Sequence, residues 1–552
     1  MCKKLNLITA LILLLSNQKI YTFTQDAIRR PYTTLRLYLL ILWKSFGRRR
    51  KTKVGRYGMK KLLTLFLAAG MTLSAAHSAS AVELKVSGMY DFSFTGTSNM
   101  SGSRSFMDSS DHRHNLKRDL NGRHFDALQR LRLGLEFVMG EQLSAFYQAQ
   151  IGTFAWGGPY KGASKAEADG GALATRAANV ATRLAYLDWM VPNTSVHVRM
   201  GQQPFALPAF VAGSPILDDP ATGVAITAPV CDWLDLSGFW IRAISDPWKN
   251  SSGEYDYRSA DVDLFGLVAD AKFESFRVAP WAVVGHGGKH FSEVGSTGST
   301  TSGVLPFNGM NRLRWNNGEL EKSLDPSSST IWFAGISGEY KPFDPLRLAL
   351  DFYYSATENS HASTERNGWY VAGLAEYKMP WFVPTLVAWY ASGDDSNPTN
   401  GSEQPLTLSG GFDPGARAYF DGRYSIANTI DKCDAGGTWG VSAQLNKITF
   451  LKDLYHDLAV TYFQGTNNKD MPYDINKRYG GSVSPADYLT SKDNIIEVDF
   501  NSSYHIYKNL IAVLELSYLF QDIDGHVWRS ATNEKADFSD AWSASLNFRY
   551  MF

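Results

Sequence analysis

The 552 residues are 44% hydrophobic, 13% aromatic and 20% charged, with 54 Lys+Arg against 54 Asp+Glu and three cysteines. So few cysteines exclude a disulfide-built scaffold, and no apolar run reaches the ~18–20 residues of a membrane-spanning helix. The neutrality hides a segregation of charge. Residues 1–81 hold 15 of the Lys+Arg and one of the Asp+Glu, leaving 39 against 53 and a net charge of −14 on 82–552, a balance that argues against a nucleic-acid partner.

In chain order, the first legible element is an export signal. Met59-Lys-Lys61 is a basic start, Leu62 to Leu73 an apolar stretch and Ala79-Ser-Ala81 a cleavage motif. Together they predict a signal peptide over 59–81 and a mature chain from Val82. Residues 1–58, with Cys2 and the cluster Arg48-Arg-Arg-Lys51, are read as an extension from a start codon chosen too far upstream.

From Val82 onward the chain alternates two kinds of connection. Short turns are predicted at 139–142, 191–194, 231–234, 274–276, 341–345, 379–382, 452–457 and 507–509. Longer Gly/Ser/Asn/Asp-rich stretches separate them at 96–124, 155–179, 203–222, 246–257, 287–328, 358–365, 394–435, 466–492 and 522–537. Strict rotation of long and short connections places all the long loops at one end of a meander. Nine long loops and eight short turns predict 18 strands, or 16 if 223–231 and 234–245 are a single strand.

Several strands alternate strictly. Leu131, Leu133, Leu135 and Phe137 interleave with Arg130, Arg132, Gly134 and Glu136, and Leu348, Leu350 and Phe352 with Arg347, Ala349 and Asp351. Segments 276–286 and 510–521 are apolar on both faces, and their pattern chooses no orientation. Aromatics such as Trp233, Phe276, Tyr340, Trp381, Phe450 and Tyr507 collect beside the short turns, as a girdle at a membrane interface would. The last strand, Trp542 to Phe552, carries Trp542, Leu546, Phe548, Tyr550 and Phe552 on one face and Ser543, Ser545, Asn547 and Arg549 on the other. These features predict an all-β antiparallel transmembrane β-barrel of about 16–18 strands, with long extracellular loops and short periplasmic turns, in the outer membrane of a Gram-negative bacterium. Phe548, Tyr550 and Phe552 form a C-terminal signature for the barrel-assembly machinery. Cys231, near a short turn, and Cys433, in an outer loop, fall at opposite rims and are expected to be free.

From Met59 to Phe552 the chain resembles the homotrimeric general porins of sulfate-reducing, Desulfovibrio-type bacteria. The resemblance is carried by Val82-Glu-Leu-Lys-Val-Ser-Gly-Met-Tyr-Asp91, Leu187-Asp-Trp-Met-Val-Pro-Asn-Thr194, Val198-Arg-Met-Gly-Gln-Gln203 and Phe548-Arg-Tyr-Met-Phe552. It implies a trimer of water-filled channels for passive diffusion of small hydrophilic solutes and ions, with the third loop folded inward. A binding or adhesion barrel, a substrate-specific uptake channel and, more remotely, an outer-membrane hydrolase are the competing classes.

The third connection, 203–222, carries Phe205, Leu207, Phe210, Val211, Ile216 and Leu217, too apolar to wave in water, and it is expected to pack against a barrel wall. Asp218 and Asp219, placed at its tip, would oppose a lumen row of Arg130, Arg132, Arg183 and Arg199. The competing expectation has these arginines paired locally with Glu136 or Asp188 in a wide vestibule.

No nucleophile elbow, phosphate loop, dinucleotide fingerprint or zinc-protease motif occurs, and no enzymatic activity is expected. His112, His114 and His124 in the first loop, and His286 and His290, lack a companion ligand set. No cofactor is expected beyond weak calcium binding by surface loops, for which Asp394 to Glu403 is an oxygen-rich candidate.

Overall fold

The computed structural model describes residues 82–100, 123–157, 180–245, 248–249, 254–256, 261–288, 314–316, 319–321, 328–358, 365–397, 400–427, 430, 432, 434–478, 483–486, 488–532 and 538–552. Eighteen long strands make one sheet: β1 (Glu83–Ser98), β2 (Arg123–Val138), β3 (Leu143–Ala155), β4 (Val180–Met190), β5 (His197–Ala206), β6 (Asp218–Cys231), β7 (Leu234–Ile244), β8 (Val262–Lys272) and β9 (Phe276–Gly287). The second half comprises β10 (Ser329–Phe343), β11 (Leu346–Glu358), β12 (Asn367–Tyr377), β13 (Val383–Ala391), β14 (Thr438–Leu451), β15 (Leu454–Gly465), β16 (Asn494–Tyr507), β17 (Leu510–Asp522) and β18 (Ala541–Met551).

Each strand pairs antiparallel with the next, and β18 returns to β1 with Tyr90 opposite Tyr550 and Asp91 opposite Arg549. Closure leaves no edge strand, the condition for spanning hydrocarbon with sheet. Past the end of β18, Gly88 and Phe552 exchange backbone hydrogen bonds of 2.8 and 3.0 Å. A Cβ on Gly88 would overlap the Phe552 ring, so the terminal aromatic seats on a residue with no side chain. The 223–245 segment resolves into two strands joined at Cys231↔Leu234, which sets the count at 18. Cys231 is a free thiol there; Cys433 lies outside the described residues.

The alternation acts in an inverted sense. On β11, Leu350 and Phe352 are 54% and 40% exposed while Ala349, Asp351, Tyr353 and Ser355 are buried. The same reversal recurs at Phe265 and Leu267, at Leu514 and Leu516, and at Leu546. An exterior of large apolar side chains around a polar interior is the surface hydrocarbon requires. The chain is therefore an outer-membrane barrel. Among the described residues no helix is long and apolar enough to cross a membrane. At the short-turn rim Trp233, Phe273 and Phe276 stack at 5.4 and 4.3 Å, and Tyr340, Trp381, Phe450 and Tyr507 stand exposed around the same rim.

The buried core of this protein lies inside the barrel. The third loop, 207–217, and the seventh, 392–437, fold inward. Leu406, Phe412, Ala416, Ala418, Tyr419 and Phe420 of the seventh loop are at most 1% exposed. Phe412 meets Tyr370 of β12 and Trp389 of β13 edge-on at 6.1 and 5.5 Å, and Tyr419 and Phe420 meet Phe463 of β15 at 4.8 and 5.2 Å. These lumen-facing aromatics serve as one side of a small hydrophobic core, with the loop as the other. The two loops also bond to each other. Leu408 and Ser409 N–H donate to Ile216 O, Gly411 N–H to Ser214 O and Asp413 N–H to Ala212 O. Gly213, at φ +77°, passes so close to Gly411 that any side chain would strike its carbonyl.

Candidate functional site

The arginines of the lumen come from consecutive strands. Arg130 and Arg132 alternate inward on β2, facing Asp91 of β1 and Gln150 of β3. Arg130 Nη2 donates to Asp91 Oδ2 at 3.0 Å, and Arg132 Nε to Gln150 Oε1 at 3.0 Å. Arg183 breaks its strand's alternation for a definite reason. Leu184 pairs with Gln148 while Thr182 pairs with Ala149, so Arg183 is the extra residue of a β-bulge and is re-aimed inward. Its Nη1 donates to Gln148 Oε1 at 3.1 Å.

A fourth guanidinium, Arg549 of β18, joins this row. Its Nε donates to Asp91 Oδ1 at 2.6 Å and its head lies 4.5 Å over the Tyr424 ring. Sequence reading placed Arg549 on the polar face of the closing strand without assigning it a role; its pairing opposite Asp91 needed the register of closure. Arg199 sits differently. Its Nε and Nη2 grip Asp188 Oδ2 at 2.9 and 2.6 Å, over the Tyr186 ring at 4.8 Å. It is the local pairing that the competing expectation described, whereas no described ion pair joins Glu136 to any of these arginines.

The position of the aspartates needs correction. Gln203 to Ala206 and Asp218 to Ala221 pair in register, so the third loop is only 207–217. Asp218 and Asp219 open β6 and do not form the loop's tip. The cause is that Phe205, Leu207 and Leu217 are buried against other parts of the chain, which erases the alternation a strand end normally shows. Asp219 Oδ2 accepts from Ser409 Oγ at 2.8 Å, and its charge acts on Arg183, which also feels Arg130. The fold thus gathers Arg130, Arg132, Arg183, Arg549 and Asp219 into one electrostatic neighbourhood and leaves Arg199 with Asp188.

The third loop packs on the wall between β9 and β11. Phe210 is held on several sides: its N–H donates to both oxygens of Asp351, its carbonyl accepts from Arg347 Nη2 at 2.6 Å, and Arg277 lies 4.8 Å over its ring. Ser337 Oγ donates to Pro208 O at 2.7 Å. The seventh loop continues around the wall. Leu406 N–H reaches Ser355 Oγ, and Ile426 N–H reaches Ser93 Oγ of β1.

Of the calcium candidate, Asp394 is already occupied by protein donors: Ser402 Oγ at 2.6 Å, Tyr488 OH at 2.7 Å and Gln404 Nε2 at 3.3 Å. Burial raises both its carboxyl and the Tyr488 phenol above their usual values. His112, His114 and His290 lie outside the described residues. His286 falls on β9, opposite Asp263 of β8.

No family model matches the chain, and no curated protein resembles it in sequence. Among solved structures, OccK9 (OpdG) of Pseudomonas aeruginosa aligns over 85% of this chain and 98% of its own, at 12% identity and a TM-score of 0.46. A BenF-like porin of Pseudomonas fluorescens Pf-5 aligns over 85% and 98%, at 10% identity and 0.47. OprD of Pseudomonas aeruginosa aligns over 87% and 96%, at 10% identity and 0.46.

Proposed function

We propose that this barrel is a passive porin, a water-filled channel for small hydrophilic solutes and ions, of the homotrimeric general kind found in sulfate-reducing bacteria. The observation that carries the reading is the row of Arg549, Arg130, Arg132 and Arg183 on the lumen wall, with the charge of Asp219 on β6 acting on Arg183 and the third loop turned inward. Acid and base set side by side along an aqueous path make a local field. Such a field orients dipolar solutes and opposes apolar ones, whose hydration must be stripped against it. In this reading the third loop narrows the lumen and the protein performs no covalent chemistry. Phe548, Tyr550 and Phe552 are the segment offered to the barrel-assembly machinery.

A second reading, substrate-specific uptake, is favoured by how much of the lumen is filled by packed loop. Reconstitution of residues 82–552 in a planar bilayer tests both. The porin reading expects ohmic conductance without added energy, in groups of three steps. Specific uptake expects current that one solute class blocks at low concentration. A silent bilayer with folded barrel inserted would remove both.

A further inference from the structure

Three carboxylates on the barrel wall are used in a way that neither membrane spanning nor ion pairing requires. Asp351 of β11 accepts the backbone N–H of Phe210 on both oxygens, at 2.9 and 3.0 Å, and that of Val211 at 2.8 Å. Glu497 of β16 accepts Ala418 N–H on one oxygen and Tyr419 N–H on the other, at 2.6 and 3.2 Å. Glu515 of β17 repeats the arrangement with Tyr424 and Ser425, at 2.7 and 2.9 Å. Each time one carboxylate takes the N–H groups of two consecutive loop residues. Successive N–H groups converging on one point form an anion-binding concavity. Here the barrel wall supplies the acceptor and the loop supplies the concavity.

The dependence is mutual. Asp351, Glu497 and Glu515 are 4%, 0% and 6% exposed, and a carboxylate so placed needs charge-assisted donors that water cannot replace. Their own wall completes only part of the requirement: Ser545 Oγ and Asn547 Nδ2 reach Glu515 at 3.0 and 2.9 Å. A neighbouring carboxylate, Asp499, accepts from Ser517 Oγ of the wall and from the N–H of Arg417 in the seventh loop. One clamp holds the third loop and two hold the seventh, and the two loops are joined by the backbone bonds between 212–216 and 408–413. These clamps fix the inward partition to the barrel at three places, beside the single bonds that Ser337, Ser355, Ser93 and Asp499 make to it.

We infer that Asp351, Glu497 and Glu515 are positioning residues that set the bore and selectivity of the channel through the loops they hold, without touching the solute. The inference rests on the porin reading. In single-channel recordings of the full chain, Glu515→Gln keeps one acceptor and should raise conductance modestly. Glu515→Ala should raise it further, and Glu497→Ala with Glu515→Ala should at least double it. The double variant should also admit sugars in liposome swelling that the parent excludes, and its ion selectivity should fall toward that of bulk solution. Ser425→Pro and Ala418→Pro remove the N–H donors from the loop side, leave every strand intact and should open the channel in the same direction.

Unchanged conductance and size cut-off in the Pro variants, or in Ala variants that migrate as folded barrel, would overturn the inference. A parent that does not conduct would instead overturn the porin reading. The clamps are then read by limited proteolysis of the intact barrel in detergent, with cleavage within 405–427 expected in the variants and not in the parent. Equal resistance there would overturn them.

Discussion

Two stretches of the same lumen obey one alternation and end up as different materials. Along β10 to β17 the inward positions hold Tyr353, Tyr370, Trp389, Phe463, Ser355 and Glu497, all sealed beneath loop to 3% exposure or less. Along β2 to β5 they hold Arg130, Arg132, Gln148, Gln150, Asp188 and Arg199, and the Arg199 side chain keeps 41% of its surface. Among the described residues, no loop segment is hydrogen-bonded to the arginines of β2, β4 or β5. Side-chain chemistry explains the division. Rings and small hydroxyls present surface that a loop can cover with gain of dispersion and loss of apolar hydration. Guanidinium heads covered without a full set of partners carry an uncompensated desolvation cost. The described lumen is thus part protein core and part polar, arginine-bearing wall.

The largest effect that would break this contrast lies in the covered half. Phe412→Ala removes a fully buried ring and should cost the loop packing about 3–5 kcal/mol. The expected record is a noisy channel whose seventh loop is cut by protease while the barrel stays folded; a quiet, resistant channel would show that Phe412 is not part of a core. Next comes the arginine wall. A unit charge ~5 Å from an ion in water is worth about 0.8 kcal/mol, or roughly fourfold in permeability. The triple change Arg130→Gln, Arg132→Gln and Arg183→Gln should therefore lower chloride permeability by some tens-fold and the chloride-over-potassium ratio at least as much, read as reversal potential across a salt gradient. The effect should shrink as salt shortens the screening length.

A smaller change of opposite sign is expected from Asp218→Asn with Asp219→Asn, at most about sixteenfold in permeability by the same arithmetic, since these two carry the charge opposite to the guanidiniums. No change in selectivity or conductance would mean the pair does not bear on the ion path. Least of all should follow from Leu350→Ala, which points into hydrocarbon from the covered stretch: conductance and selectivity should both match the parent in planar bilayers. A shift there would mean that the lipid face is coupled to the loops and that the two halves cannot be treated separately.

Much of the barrel was readable in advance because lipid and water impose a period of two on every residue of a spanning strand. The eight short turns fell where expected, the third long loop was shorter at both ends than its composition suggested, and the doubtful segment at 223–245 proved to be two strands. What escaped the pattern were positions where an inward residue meets protein instead of water. The start of β6 looked like loop because its apolar residues pack inward. Segment 510–521 showed no preferred face, and the structure turns Leu514, Leu516 and Phe520 out and Ile511, Val513 and Glu515 in. The seventh loop read as an outer loop of small and polar residues; Phe412, Tyr419 and Phe420, three rings in nine residues, were the available signal that it is buried.

Composition and periodicity alone determined a chain closed into an antiparallel barrel, its greasy side outward and its arginines on inward-facing positions, because those properties are set residue by residue along each strand. Only the tertiary structure decided that Arg183 turns on a bulge, that Arg549 and Arg130 share Asp91 across the closing seam, and that Asp351, Glu497 and Glu515 hold loops in place. Each of these joins residues far apart in the chain, and a local repeat carries no information about such partners until closure brings them together.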